Sequence, residues 1–299
     1  MTEHMFTLAH LSDIHLAPLP APHVGELMGK RITGYVNWWR KRRMVHDRNT
    51  LDALVADLKA RESEHVAVTG DITNIALAAE FERGRAWLEA LGPAHDVSFV
   101  PGNHDIYVPE ATKLCTRAFG DFMRGDDGGD GFPYLRRRGP LALIGLNTGV
   151  PTAPFMATGE VGADQLAALG PLLARAEADG LFRVILIHHP PVSASPQHKR
   201  LLDAPGLMAV VAAHGAELLL HGHDHLAMLN WLAGPSGTRV PAVGVPSASS
   251  APGASHDDAA YNLYAIGGAP GEWTCTVVTR GFGAGGRIVE RAPRQLTWT

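Results

Sequence analysis

Residues 217–225 read ELLLHGHDH, an apolar run that stops at three histidines within five positions. A run this short and this apolar reads as a strand buried on both faces, and its polar end puts the imidazoles at the strand's carboxyl terminus. The pattern recurs four times. FTLAHLS (6–12) runs into Asp13-Ile14-His15, HVAVT (65–69) into Gly70-Asp71, DVSFV (96–100) into Pro101-Gly102-Asn103-His104-Asp105, and VILI (184–187) into His188-His189-Pro190. Ligands of open α/β sheets bind outside the carboxyl ends of the strands, so five strand ends deliver polar residues to one rim.

Helical periodicity fills the spaces between these strands. Leu51, Leu54, Val55 and Leu58 fall at i, i+3, i+4 and i+7; Leu77, Phe81, Leu88 and Leu91 mark a second helix, and further helical patterns cover 163–178 and 199–213. LALIGL (141–146) is another strand. From about 226 to 299 the chain is richer in Gly, Pro, Thr and Val and reads as a β-meander (MLNWL, VPAVGV, YNLYAIG, WTCTVVTR), expected to form a second sheet packed on the first. No repeat or linker divides the chain, so residues 1–299 are expected to form one layered α/β domain. RGDDGGDG (124–131) is the clearest loop.

Composition narrows the functional classes. The 299 residues are 45% hydrophobic, enough for a sizeable core, and the net charge of −4 gives no nucleic-acid signal. Cys115 and Cys275 are far apart and form no CxxC pair, so neither a disulfide framework nor a thiolate metal site is indicated. The N-terminus carries Glu3 where a leader would be basic, and no run reaches the roughly 18 apolar residues of a membrane span. The expected location is the cytoplasm, with peripheral contact at the inner membrane as an option.

Asp13, His15, Asp71, Asn103, His188, His223 and His225 offer carboxylate, imidazole and amide donors without a thiolate. Such a set suits Mn, Fe, Zn or Mg. Seven donors crowd one ion but divide between two if one carboxylate bridges. Two ions about 3.5–4 Å apart can clamp a phosphoryl oxygen and make hydroxide available near neutral pH.

In this order along the chain, DxH (13–15), GD (70–71), GNHD (102–105), His-His-Pro (188–190) and GHxH (222–225) resemble the calcineurin-like metallophosphoesterase superfamily. The resemblance implies a four-layer α/β/β/α sandwich of two mixed sheets flanked by helices, with a dinuclear site at the strand ends. It assigns Asp13, His15 and His225 to one ion, Asn103, His188 and His223 to the other, and Asp71 to the bridge. His104 would contact the substrate phosphate and help protonate or stabilise the leaving oxygen. The ions would be manganese, iron or zinc, and the reaction a single in-line displacement at phosphorus by hydroxide, with no covalent intermediate.

Family members with GNHD, HHPP and a similar length include bacterial class III cyclic-nucleotide and glycerophosphodiester phosphodiesterases. A phosphodiester or nucleotide-type small molecule is therefore the expected substrate. The alternative is a UDP-diacylglucosamine-type lipid pyrophosphate hydrolysed at the membrane surface. A nuclease is less favoured, since no large basic surface is apparent. A non-catalytic scaffold is also less favoured, because all seven ligand positions are filled.

Residues beside the motifs have plainer expectations. Asp105 caps local backbone or supports a ligand, His189 is packed or faces substrate, His221 stands behind the ligands or in the core, and Asp224 faces away. Gly222 is expected to permit a sharp turn. GVPTAPFMATGEVG (149–162) is a candidate substrate loop.

One stretch lies outside the motifs. Lys30–Arg43, KRITGYVNWWRKRR, within a basic aromatic insertion at about 24–47, has six basic residues, no acidic one and three aromatics. Trp38 and Trp39 are expected to pack against the body under long basic side chains. The basic residues are expected near the site rim, where they could select substrates with extra negative charge or lipid, or touch an anionic membrane.

Overall fold

The computed structural model describes residues 5–254, 257–283 and 285–299; Glu3 lies outside them. In chain order the first half comprises β1 (Phe6–Leu11), α1 (Lys30–Arg40), α2 (Arg48–Lys59), β2 (His65–Val68), α3 (Ala78–Leu91), β3 (Val97–Phe99), α4 (Ala111–Met123), β4 (Tyr134–Arg138) and β5 (Leu141–Gly145). The second comprises α5 (Ala163–Ala178), β6 (Phe182–Leu186), α6 (Ala204–His214), β7 (Leu218–His221), β8 (Met228–Ala233), β9 (Arg239–Gly244), β10 (Ala260–Gly267), β11 (Thr274–Phe282), β12 (Ile288–Glu290) and β13 (Arg294–Leu296).

These strands make two mixed sheets. One runs β12-β11-β10-β1-β2-β3, with β13 also on β11; the other runs β4-β5-β6-β7-β9-β8. β1, β2 and β3 are parallel, as are β5, β6, β7 and β9. Parallel strands buried on both faces read as continuous apolar runs, and the packing of β7 shows why. Leu218 and Leu220 join the cluster that holds Leu8 and Leu11 of the other sheet, whereas Leu219 packs with Leu169 and Leu173 of α5 and Leu207 and Val211 of α6. Burying a leucine contributes roughly 1.5–3 kcal/mol, so both faces of the strand need apolar residues. The result is helices, sheet, sheet, helices.

Two expectations need correction, and one strand is new. The strands after 226 do not form a separate second sheet: β8 and β9 extend the sheet of β4–β7, while β10 pairs antiparallel with β1. The helix expected at 199–213 starts only at Ala204, because residues 197–199 form a 3-10 turn and Asp203 receives the Val161 and Gly162 N–H groups. β4, with the sequence YLRRR, adds a strand that no expectation covered. Its Arg136 is 2% exposed and donates to the carbonyls of Ala94, Val97, Asp121 and Arg124, which makes burial tolerable.

Candidate metal centre

The carboxyl ends of β1, β2 and β3 from one sheet meet those of β6 and β7 from the other, and all seven expected ligands converge there. Asp13, His15 and His225 each offer a ligand atom within 4.8 Å of the others, and so do Asp13, Asp71 and His188. His223 joins them through Nδ1, 3.0 Å from Asn103 Oδ1. His225 Nε2 stands 3.1 Å from Asp13 Oδ1, and His188 Nε2 3.3 Å from Asp71 Oδ2.

Backbone strain is concentrated at this place. Of nine described non-glycine residues with positive φ, five are expected ligands: Asp13, His15, Asp71, His223 and His225. Left-handed backbone at such residues costs on the order of 1 kcal/mol or more each and marks functional sites rather than ordinary turns. It is held by Asp13 N–H donating to Gly70 O (3.0 Å) and His15 N–H to Asp71 O (2.9 Å).

Hydrogen bonds also fix the imidazoles. His15 Nδ1 lies 3.1 Å from Thr73 O and His188 Nδ1 2.6 Å from Thr69 O. A carbonyl only accepts, so each Nδ1 carries a proton and each Nε2 is the atom left facing the centre. His223 is reversed: Nε2 donates to Lys199 O (2.7 Å), leaving Nδ1 as the ligand atom. Asp13 Oδ1, His15 Nε2 and His188 Nε2 are buried without a hydrogen-bond partner. Three such atoms aimed at one centre leave polar groups that a cation would satisfy, and the donor chemistry fits Mn, Fe or Zn.

Electrostatics point the same way. Burial opposes ionisation of Asp71, yet His188 and His104 hold its carboxyl well below the usual range; Asp13 is held down likewise by His225, His188 and His223. Burial, His46 and Arg42 keep His15 neutral, the form that ligates. His188 is pushed up to about 10 by Asp71 against its burial, and the proton it holds is what a cation would displace.

Two buried carboxylates shape the loops. Asp105 accepts from the N–H groups of Asp71 (2.7 Å), Ile72 (3.0 Å), Thr73 (3.0 Å) and Gly102 (2.9 Å), so it joins the loop after β2 to the loop after β3. Glu80 accepts from Asn74, Ile75 and Leu77. The second loop in turn presents His104, whose N–H donates to Asp71 Oδ1 (2.7 Å) and whose Nδ1 meets Asn74 O. Burial and Arg42 lower His104 to about 3, so it is a neutral imidazole.

Neighbouring residues divide. His189 is held between Thr148 Oγ1 (2.8 Å) and Ala157 O (3.3 Å), which occupies both ring nitrogens, although it stands close enough to His188 and His223 to share a cation with them. His221 is wholly buried against Gly244, and Asp224 binds the hydroxyls of Ser193 and Ser195. Gly222 has no positive φ, contrary to the sharp turn expected of it. It is needed for space, because a Cβ there would collide with Ser12 Oγ and Asp13 Oδ2.

A cleft of about 680 Å³ opens on Asp71, Asn103, His223 and His225. Phe155, Met156 and Ala157 of the 149–162 loop line it, whereas no residue of 124–131 does. The basic segment supplies its other wall. Trp38 packs on the core, but Trp39 is 53% exposed under Arg43, a correction to the expectation that both pack. Lys30 and Arg31 are buried, and Arg42 Nη1 reaches His104 Nε2 at 2.7 Å. Sequence gave no sign that Arg42 touches His104. It also missed His46, whose ring lies 4.3 Å from His15 with Nδ1 2.8 Å from Ser249 Oγ.

Known proteins share this fold. A family model described as calcineurin-like phosphoesterase matches residues 6–227. Over 183 residues the chain is 31% identical to a Synechococcus sp. protein named a probable cyclic nucleotide phosphodiesterase, a match covering 59% of this chain and 64% of that relative's length. Its fold is similar to a dimetal phosphatase from Danio rerio (TM-score 0.67, 16% identity, 98% of this chain and 99% of that one). A purple acid phosphatase from yellow lupin seeds is also similar (TM-score 0.57, 12% identity, 98% and 54%). With the match spanning most of the chain and every expected ligand at one rim, the chain belongs to the calcineurin-like phosphoesterase family.

Proposed function

We propose that this chain is a dinuclear-metal-dependent phosphoesterase that hydrolyses phosphodiesters of nucleotide type. The observation that carries it is the convergence of buried Asp13 Oδ1, His15 Nε2 and His188 Nε2, none of them in a hydrogen bond, beside a substrate-sized cleft. The Synechococcus relative's name supports the diester preference. Asp13, His15 and His225 would hold one ion, Asn103, His188 and His223 the other, with Asp71 between. Bound there, the ions supply hydroxide near neutral pH and neutralise phosphoryl charge.

The chain's own groups do the positioning. His104 gives its Nδ1 proton to Asn74 O and accepts from Arg42 at Nε2, so it faces the cleft as an oriented neutral ring. Asp71 holds the His104 backbone N–H, which ties this ring to the proposed bridge. The test is hydrolysis of bis(p-nitrophenyl) phosphate with Mn²⁺, followed by cyclic AMP, a glycerophosphodiester, a UDP-linked lipid and single-stranded DNA. His104→Ala is expected to lower kcat about 10²–10³-fold with metal content unchanged. No hydrolysis with any divalent ion would sink the phosphoesterase reading, and loss of metal in the variant would sink the role of His104.

Peripheral attachment to an anionic lipid surface through Lys30–Arg43 is the second part of the proposal. Ile32, Val36 and Trp39, spaced i, i+4, i+7 on α1, are 52%, 42% and 53% exposed, with exposed Met28 and Met44 beyond its ends. Arg40, Lys41 and Arg43 are exposed beside them, and residues 27–46 contain no acidic side chain. An exposed apolar stripe flanked by cations suits anionic headgroups, whereas a symmetric dimer through this face would set like charges against each other. Sedimentation should show binding to phosphatidylglycerol vesicles but not phosphatidylcholine vesicles, weakened about tenfold or more in Ile32→Ser/Trp39→Ser. Equal sedimentation with both vesicles, or none with either, would overturn it.

A further inference from the structure

We infer that Arg42 and Lys30 form a subsite for a second phosphate group of the substrate, next to the phosphate over the proposed metal centre. The inference rests on the phosphoesterase proposal above and names its substrate class more narrowly: esters that carry a further phosphate on the His104 side.

Arg42 is half-buried and lines the cleft. Its only hydrogen-bond contacts among the described residues run from Nη1 to the His104 ring, so Nε and Nη2 have no protein acceptor. That edge of a guanidinium is the planar fork that takes two oxygens of one phosphate. Lys30 is 9% exposed, and its ammonium is held by neutral groups alone: Thr152 Oγ1 at 2.6 Å, Met156 O at 3.1 Å and the Tyr107 ring at 4.3 Å. Tyr107 stacks on His104 with ring centres 5.6 Å apart, which sets the two cations about the same imidazole.

Neither cation has a carboxylate in ion-pair contact among the described residues, and this separates them from other inward-pointing bases. Arg31 pairs with Glu110, Arg138 with Asp126, Arg183 with Glu217 and Arg280 with Asp57. Buried Arg136 also lacks a carboxylate, but four backbone carbonyls occupy its donors. A desolvated charge without a counter-ion is costly unless a ligand completes it. A diester phosphate brings a single negative charge, which bound cations would already match. Two more cations on one side of it fit a second, dianionic phosphate.

The experiment measures binding by calorimetry to the manganese-loaded protein, using adenosine 5′-monophosphate and the uncleavable α,β-methylene adenosine 5′-diphosphate. The wild type should bind the diphosphate at least about tenfold more tightly, since a charge-assisted phosphate contact is worth that much. Arg42→Gln should reduce the ratio to about threefold or less, and Arg42→Lys, which keeps the charge and loses the fork, should fall between. Lys30→Gln should move the ratio the same way, with metal content unchanged in all three. A ratio near one in the wild type, or one that Arg42→Gln leaves unmoved, overturns the subsite. If the wild type hydrolyses bis(p-nitrophenyl) phosphate and the ratio does not move, only this inference fails; if it hydrolyses no ester, the phosphoesterase proposal fails first.

Discussion

Replacing Asp71 by alanine is expected to abolish turnover, with kcat/KM falling at least about 10⁴-fold, or about 5 kcal/mol of transition-state stabilisation. The size follows from how many jobs meet on one carboxylate. Oδ2 faces His188 at 3.3 Å and His15 at 3.8 Å, one from each proposed ion's ligand set. Oδ1 accepts the His104 N–H, so the substrate-facing ring loses its anchor in the same substitution. Elemental analysis beside initial rates checks it: the variant should hold less than half the wild type's metal. A variant with full metal content and a hundredth of wild-type activity would mean that Asp71 does not bridge.

Asp105→Ala should have the largest effect on stability, about 3–5 kcal/mol. The carboxylate is fully buried and accepts four backbone N–H groups. Each buried donor left unmatched costs about 1–3 kcal/mol, and partial relaxation brings the sum to the scale of breaking a buried charge network. Burial and Asp71 push this carboxyl up to about 7, but four N–H donors on its two oxygens favour the ionised form. Thermal melting should fall by roughly 10 °C. Asp105→Asn, which keeps one acceptor oxygen, should lose less. If Asp105→Ala melts within 2 °C of wild type, the loops carrying Asp71 and Asn103 are held by something other than this carboxylate.

The site was more legible in the sequence than the sheets that build it. Strand ends announce themselves locally: Leu218-Leu219-Leu220 gives way to polar residues at His221, and no distant information is needed to see the rim. Which sheet a strand joins is different. β7 and β2 are both apolar on both faces because both are covered on both sides, so their residues carry no mark of their neighbours. The assignment of β9 beside β7 and β10 beside β1 follows from long-range pairing alone. Arg42 and His46 were hidden for a related reason. They reach the centre from a segment with no strand-end signature, and their contacts with His104 and Ser249 span 62 and 203 residues.

The pairing of β1 with β10 sets a timetable for the molecule. β1 is made first, yet its central place in the sheet is completed only by residues 260–267. Asp13 likewise meets His225 and gives its carbonyl to Ser247, more than two hundred residues downstream. At ribosomal speeds of roughly 5–20 residues per second, the opening strand waits roughly 12–50 s for its closing neighbour. The proposed ion pocket therefore depends on segments made long after its first residue: it cannot close until the chain has passed Ser247 and β10 has paired with β1.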